Sequence, residues 1–463
     1  MAGPVSVTPN IPLIEKYGVN GPRYTSYPSA LNFSEAVADD AFDRAVRASN
    51  DELIPAPLSL YVHIPFCRTL CYYCGCHKKV TRNPGVVSGY LTALNREIER
   101  KGAMFDRDRE VKQLHFGGGT PTFLNAVQRA GLMSSLARDF TLIDHADRDY
   151  GIEIDPRSVH PHELGQIASL GFNRVSFGVQ DTNPAVQEAV NRVHSLEELE
   201  LLVLNARRFG FKTVSFDLIY GLPRQTPASF MATLKTVTAL NPDSLSVFSY
   251  AHLPALFPAQ RLLSDRELPD AASRLAMFAE TIAELQSAGY EYIGMDHFAL
   301  PSSHLARARD RHDMHRCFQG YASGRHLDTL GLGVSAISRI GDGYYQNQKD
   351  LRAYAAAMDG NRLAIHRGYE LSDGDCRVAA VIDELMCYGS LDKDAWSRTF
   401  QADFDRYFAH ELLALTTLAD DELVNVHEDR IDVTAQGRLF LRSIAACFDR
   451  QVRPEGSSYS STV

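Results

Sequence analysis

Four of the eight cysteines of this 463-residue chain fall within ten positions, in the run Cys67-Arg-Thr-Leu-Cys71-Tyr-Tyr-Cys74-Gly-Cys76. The spacing C-x3-C-x2-C puts three thiolates on one short loop, directly after the apolar, β-rich run LSLYVHIPF. Three thiolates can ligate three irons of a four-iron, four-sulfur cubane and leave the fourth iron open to a small molecule. Zinc is the alternative, with Cys76 or His77 as fourth ligand, although structural zinc is closed, four-coordinate and usually built from two separated pairs. The other cysteines, Cys317, Cys376, Cys387 and Cys447, are scattered. MAGPVSVTPNIPLIEKYG carries no basic segment followed by an apolar core. The cluster therefore reads as a metal site in a reducing, cytoplasmic setting rather than as disulfides.

Two further strings hold chemistry. Gly117-Gly118-Gly119-Thr120-Pro121 ends a second β-rich run. A glycine run tolerates positive φ and lets a ligand approach the backbone, or it makes a tight βα turn. No Lys follows it, so a phosphate-binding P-loop is unsupported. Glu153 and Asp155 lie two apart on the third strand and so face the same side; a paired-carboxylate acid–base role is one reading.

Six apolar runs recur along the chain: 58–66, 111–119, 149–156, 174–180, 213–223 and 244–251. Between them lie amphipathic helical patterns such as YLTALNREIERKG and SLEELELLVLNARRFG, the latter stopping at Gly210. Strands alternating with helices predict parallel crossovers, and six units predict an α/β fold with a partial (β/α)6 barrel. In such barrels the chemistry lies on loops after the strands, where every motif above falls. A structural zinc knuckle has no reason to sit at that mouth. In the first strand Leu58, Leu60, Val62 and Ile64 share one face, so Tyr61 and His63 share the other. His63 reads either as a satisfied buried histidine or as a catalytic candidate.

Composition sets the outer bounds. The chain is 45% hydrophobic and 22% charged, as ordinary globular proteins are. No stretch approaches about 20 consecutive apolar residues, so no membrane-spanning helix is expected. Lys+Arg 47 against Asp+Glu 57 gives −10, which argues against nucleic acid as the main partner. Four segments follow: an N-terminal arm over the active site (1–51), the core barrel (52–285), an extension contributing to the pocket (286–370), and a mainly α, winged-helix-like module (371–463). In the last, ELVNVHEDRIDV reads as strand, turn, strand, with Thr434 as the N-cap of a following helix, and EGSSYSSTV as a flexible end. A monomer is the default expectation.

The cysteine triad, the glycine run and the acidic third strand resemble the radical S-adenosylmethionine (SAM) superfamily. The longer strings YVHIPFCRTLCYYCGCHKKVTRN, LHFGGGTPT, EIDPR, SFGVQD, NRVHS, DLIYGLP, YAHLP, GMDHFA, FQGY and GVSAIS, with the PRYTSYP arm, narrow it. Together they are similar to the oxygen-independent coproporphyrinogen III oxidase family over nearly the whole chain. That resemblance implies a 4Fe-4S cluster on Cys67, Cys71 and Cys74, its fourth iron open to SAM, and two SAM molecules. It implies a 5′-deoxyadenosyl radical that removes hydrogen from a propionate of coproporphyrinogen III. Loss of carbon dioxide and an electron leaves a vinyl group, twice, giving protoporphyrinogen IX in porphyrin and haem biosynthesis. An electron donor and an electron acceptor are required, and neither is named by the sequence.

Carried over residue by residue, the resemblance gives Tyr61, Tyr73, Gly118, Glu153 and Ile337 as cofactor contacts, Tyr61, Gly118 and Ile337 to the first SAM. It gives Gly119, Thr120, Gln180, Arg192, Asp217 and Ala251 as contacts to the second. Cys76 matches a cysteine that does not ligate and reads otherwise as a small buried packing residue. The tetracarboxylate substrate calls for local cations. Arg23 is the candidate, unless it anchors the arm by a salt bridge, with Gln319 and Tyr321 near the pocket. The chain departs from the family pattern at Cys317, where Asn is usual, and at its YSSTV end, where an Arg commonly precedes the last residues. Two rivals remain. A haem-binding relative would lack the arm and carry Cys-Asn-Phe or Cys-Asp-Phe in place of Cys74-Gly75-Cys76. A zinc-stabilised nucleic-acid module would need a basic face.

Overall fold

The six runs form six strands: β1 (Leu58–Ile64), β2 (Glu110–Gly118), β3 (Asp149–Ile154), β4 (Arg174–Gln180), β5 (Thr213–Tyr220) and β6 (Ser244–Ser249). The computed structural model describes residues 7–18, 21–37 and 40–451. The strands lie side by side in chain order, each parallel to the next. Helices α1 (Pro84–Gly102), α2 (Ala126–Asp139), α3 (Glu163–Ser169), α4 (Leu196–Arg208) and α5 (Pro227–Ala239) make the crossovers, and α6 (Ala271–Ser287) follows β6. α4 shows why these segments are helical. Ser195 and Glu198 close a capping box at its start, Arg207 and Arg208 face the negative end of its dipole, and Gly210 at φ 84° ends it.

Strand alternation decides which way each side chain faces. In β5, Val214, Phe216, Leu218 and Tyr220 are buried, and Ser215, Asp217 and Ile219 between them are only half-buried. In β1 the four aliphatic residues are buried on one face, and Tyr61 and His63 occupy the other. The apolar faces pack outward under the helices. The inward faces carry Gln113, His115, Ser176, Ser215, Asp217 and Ser246, around a lumen cavity of about 150 Å³. Filled barrels of this class stack branched aliphatics inside; this one keeps a polar lumen.

The barrel is partial. At one edge, β7 (Glu291–Gly294) and β8 (His297–Ala299) add antiparallel beside β6. At the other, β9 (Asp328–Leu332) pairs in parallel with β1, followed by antiparallel β10 (Ile337–Ile340), β11 (Gly343–Asn347) and β12 (Ile365–Glu370). The sheet order is β7-β8-β6-β5-β4-β3-β2-β1-β9-β10-β11-β12, and its two ends do not pair. The stretch after α6 thus flanks the six-stranded core on both sides. It also carries α7 (His304–Asp310).

The C-terminal region opens with α8 (Asp373–Tyr388) and holds a three-stranded sheet, Ser390–Asp392, Arg430–Val433 and Val424–Val426. Thr434 Oγ1 accepts from Gly437 N at 3.0 Å, capping the turn that leads into the final helix. The single Trp, Trp396, donates to Arg377 O at 3.1 Å and packs on Phe404 and Phe408. The arm runs between this region and the core. Val7 exchanges two 2.9 Å hydrogen bonds with the Gln286 side chain, Ser34 pairs with Gly368, and Arg442 Nε donates to Pro22 O at 2.8 Å. Described arm residues line no part of the large cavity discussed below. The EGSSYSSTV end lies outside the described residues. Among the described residues no helix is long and apolar enough to cross a membrane.

One buried charge cluster ties α1 to the β9–β11 edge. Glu97 and Lys101, both fully buried, are paired at 2.8 Å. Glu97 also accepts from Tyr354 OH, Asn347 Nδ2 and Gly333 N at 2.6, 2.6 and 2.7 Å, and Lys101 donates to Gly331 O at 2.8 Å. Removing one member of such a pair leaves an uncompensated buried charge. Lys101→Met should therefore cost about 3–5 kcal/mol, read as a lowered urea midpoint with an unchanged denaturant slope.

Candidate functional site

The cysteine loop is pinned through its own backbone before any ligand is considered. Phe66–Cys67 pairs with Lys79–Val80, which closes the loop at its base. Val190 O accepts from Tyr72 N (3.1 Å), and Asn191 Nδ2 donates to Leu70 O (2.8 Å). Gln260 Nε2 donates to Tyr73 O (3.0 Å) and Lys78 Nζ to Cys74 O (2.9 Å). Tyr72 and Tyr73 pack against the apolar group of Val186, Val190, Leu222, Tyr250 and Leu263. The loop thus holds a fixed shape at the C-terminal end of β1.

Cys67, Cys71 and Cys74 all line one cavity of about 710 Å³. Among the described residues, no three His, Cys, Asp or Glu side chains converge as single-ion ligands do. All three thiols border the same space. Their sulfurs also have donors in place. Thr120 Oγ1 lies 3.6 Å from Cys67 Sγ, and Arg157 Nη2 and Arg192 Nη1 lie 3.2 and 3.5 Å from Cys71 Sγ. Hydrogen bonding from Cys76, with Lys78 nearby, holds the Cys74 thiol below its usual value, whereas burial pushes Cys67 up to about 11. Three thiols facing a cavity, with N–H and O–H donors aimed at their sulfurs, fit an iron–sulfur cluster.

Nine of the eleven predicted cofactor contacts line this same cavity: Tyr73, Gly118, Gly119, Thr120, Glu153, Gln180, Arg192, Asp217 and Ala251. Gln319 joins them. Tyr61 and Ile337 do not. Tyr61 stacks on His115 along the barrel wall, and Ile337 borders a separate small cavity with Cys317 and Arg339. Tyr321 faces the lumen, its hydroxyl donating to Met386 O at 2.7 Å. Arg23 is ion-paired with Asp296, outside the cavity.

Two alternative readings do not hold. Glu153 and Asp155 do not form a carboxylate pair, because β3 ends at Ile154 and each acid has its own partners. Glu153 accepts from Gly118 N at 3.2 Å and lies 3.1 Å from His115 Nε2. Asp155 caps the next turn and binds Arg157 (Nη2, 2.8 Å) and Arg192 (Nη1, 2.9 Å). Burial raises the Asp155 carboxyl, but the two guanidinium groups outweigh it and hold it below its ordinary value. Cys76 is exposed rather than a buried packing residue. The glycine run borders the cavity through Gly118 and Gly119, and protein atoms also demand glycine there. A Cβ on Gly117 would meet the Glu153 carboxylate at 2.7 Å, and one on Gly118, at φ 113°, would meet the His63 ring at 2.7 Å.

His63 itself is satisfied: Nδ1 accepts from Tyr61 OH (3.1 Å) and Nε2 donates to His77 O (3.0 Å). Residues missed in the sequence include Arg157 and Gln260. EIDPR gave a signal for Arg157, an arginine just past a strand-ending acid. Nothing local marked Gln260, whose contacts with Tyr73 O and Ala251 O span distant loops.

Comparison with known proteins places these residues in a family context. The radical SAM superfamily matches residues 61–237, and the HemN C-terminal domain matches residues 377–440. The oxygen-independent coproporphyrinogen III oxidase of Salmonella typhimurium is 50% identical over 444 residues, 96% of each chain. Its Escherichia coli K12 counterpart is 48% identical over 444 residues, again 96% of each chain. Among solved structures, the Escherichia coli coproporphyrinogen III oxidase, described as a radical SAM enzyme, superposes with a TM-score of 0.91 at 47% identity. That superposition covers 96% of this chain and 100% of the other.

Two site groups titrate in opposite senses. Burial lowers His63 to about 4, whereas burial, with Glu153 nearby, raises Asp217 to about 6. Between about pH 4 and 6.5 the unfolded chain binds a proton that His63 does not, so this group makes stability fall as pH falls. Between about pH 4 and 6 the folded chain holds a proton on Asp217 that the unfolded chain lacks, so stability falls as pH rises. The two slopes, each about 1.4 kcal/mol per pH unit, offset one another. Asp217→Asn should unmask the histidine slope and His63→Gln the carboxyl slope, read from urea unfolding of metal-free protein at pH 5 and 6.

Proposed function

The chain belongs to the oxygen-independent coproporphyrinogen III oxidases of the radical SAM superfamily, and from that premise we propose which of its residues carry the reaction. The enzyme converts two propionate side chains of coproporphyrinogen III to vinyl groups by oxidative decarboxylation, with a 4Fe-4S cluster and SAM as cofactors. When bound, the cluster and SAM supply the one-electron chemistry that removes hydrogen from a propionate.

Cys67, Cys71 and Cys74 hold the cluster. What supports this is their place on one cavity wall, with Thr120, Arg157 and Arg192 presenting hydrogens to the sulfurs. Those donors stabilise charge on the sulfurs and so tune the potential. Arg192 is a positioning residue as well as a contact: it clasps Asp155 and donates to Gly178 O at 3.1 Å, fixing the end of β4 beside Gln180. Gln180, Asp217 and Ala251 then face a second SAM, with Gly119 and Thr120, while Gly118 and Glu153 face the first. Tyr61 and Ile337, one remove from the cavity, shape the wall that the first SAM rests on. Tyr73 closes the cavity against the apolar group behind the loop, which limits water.

A substrate carboxylate reaching Arg23 would compete with Asp296 for the guanidinium, so the arm and the substrate share that cation. Gln319, on the border between cavity and lumen, is the nearer polar contact. Each decarboxylation releases carbon dioxide and one electron, so an external electron acceptor follows the substrate and an external donor reduces the cluster. All eight cysteines are unpaired, which supports a reducing, cytoplasmic setting.

The observation that carries the assignment is the triad of thiols on the cavity shared by nine predicted cofactor contacts. Anaerobic reconstitution with iron and sulfide tests it. Cys67→Ala, Cys71→Ala and Cys74→Ala should each lose bound iron and all turnover of coproporphyrinogen III, whereas Cys76→Ala should keep its iron. Wild-type enzyme should give a product with two fewer carboxylates together with methionine and 5′-deoxyadenosine. SAM cleavage without change to the porphyrinogen would reject the substrate assignment.

A further inference from the structure

A second cleft, of about 720 Å³, lies at the opposite end of the barrel from the cysteines. Its wall is the set of strand beginnings: Pro57 before β1, Lys112 in β2, Asp149 in β3, Arg174 in β4 and Thr213 in β5, closed by α7 and the 324–327 turn before β9. It shares no lining residue with the cofactor cavity. Its size falls within the range of small-molecule sites.

Its charge runs against that of the chain. In a protein of net charge −10, six Lys and Arg side chains line the cleft against three Asp. Asp149 is already neutralised by Arg174, at 2.6 and 2.7 Å. Arg148 is held by Gly171 O at 2.8 Å, and Lys212 by Ala146 O. Lys112, Arg307 and Arg311 are different: among the described residues their side chains have no hydrogen-bond or ion-pair partner, and neither has His326.

Arg307, in the last turn of α7, and Arg311, its C-cap, stand four residues apart on the cleft wall, so two unpartnered like charges lie side by side. Beside them the buried Nδ1 of His304 also lacks a partner. The acids that face this group, Asp147 and Asp313, are too few to balance it.

We propose that this cleft binds a small polyanion, one carrying two or more carboxylate or phosphate groups. Unpaired guanidinium groups suit both, because the planar fork matches either anion. A concave cleft at strand ends also suits a compact ligand better than a flat protein surface. The proposal is independent of the assignment of the cysteine site.

Calorimetric titration of the reconstituted enzyme at physiological salt tests it, with tripolyphosphate and citrate as separate probes. Saturable binding of at least one probe is expected, and the probe preferred decides between phosphate and carboxylate. Arg307→Glu/Arg311→Glu should weaken that binding at least tenfold while iron content stays at the wild-type level. Should the double variant misfold, Lys112→Ala, which alters one exposed side chain, should still weaken it about threefold. No saturable binding of any probe, or binding that these variants leave unchanged, overturns the proposal.

Discussion

The alternation of strand side chains is the constraint on which the rest of this structure depends. Successive residues of a strand point to opposite faces. Here the faces bearing Leu60, Val62, Phe116, Ile152, Val175, Phe216 and Leu245 are all buried beneath helices. The opposite faces are therefore free to be polar. Tyr61, His115, Glu153, Ser176 and Asp217 all follow from that division, and a one-residue slip in any strand would exchange the two sets. The core supplies stability outside the barrel, and the chemistry occupies the inside.

Glycine is what lets the polar residues sit so close. Gly151 leaves room for the His115 ring, Gly117 for the Glu153 carboxylate and Gly118 for His63. The third strand shows the same economy of position. It ends one residue early, at Ile154, so Asp155 caps the next turn and gathers Arg157 and Arg192 around Cys71. Two carboxylates that look like a pair in sequence thus do two jobs. One braces the glycine run, and the other holds two cations against a sulfur.

The chain also separates its charge by region. Its net charge is −10, yet arginines gather locally: around Cys71, against the arm where Arg316 and Arg442 donate to the carbonyls of Arg23 and Pro22, and at the floor of the barrel. Overall charge says little about such local fields, because screening limits each to about a Debye length.

Much of the fold was legible because it rests on local periodicity. The six strands, the stop at Gly210 and the strand–turn–strand near the C-terminus were read from alternation, turn residues and caps. The thiols were legible from spacing alone, since the three cysteines fall within eight consecutive positions of one loop. What the sequence by itself determined is therefore whatever neighbouring residues decide: which elements form, which face of each is apolar, and which ligands lie together. Tertiary structure alone decided which distant groups meet. It set Gln260 on the cysteine loop, put Arg23 on Asp296, excluded Tyr61 and Ile337 from the cavity lining, exposed Cys76, and closed α7 over the strand beginnings. Those outcomes depend on crossover packing between residues tens to hundreds of positions apart, which no local pattern encodes.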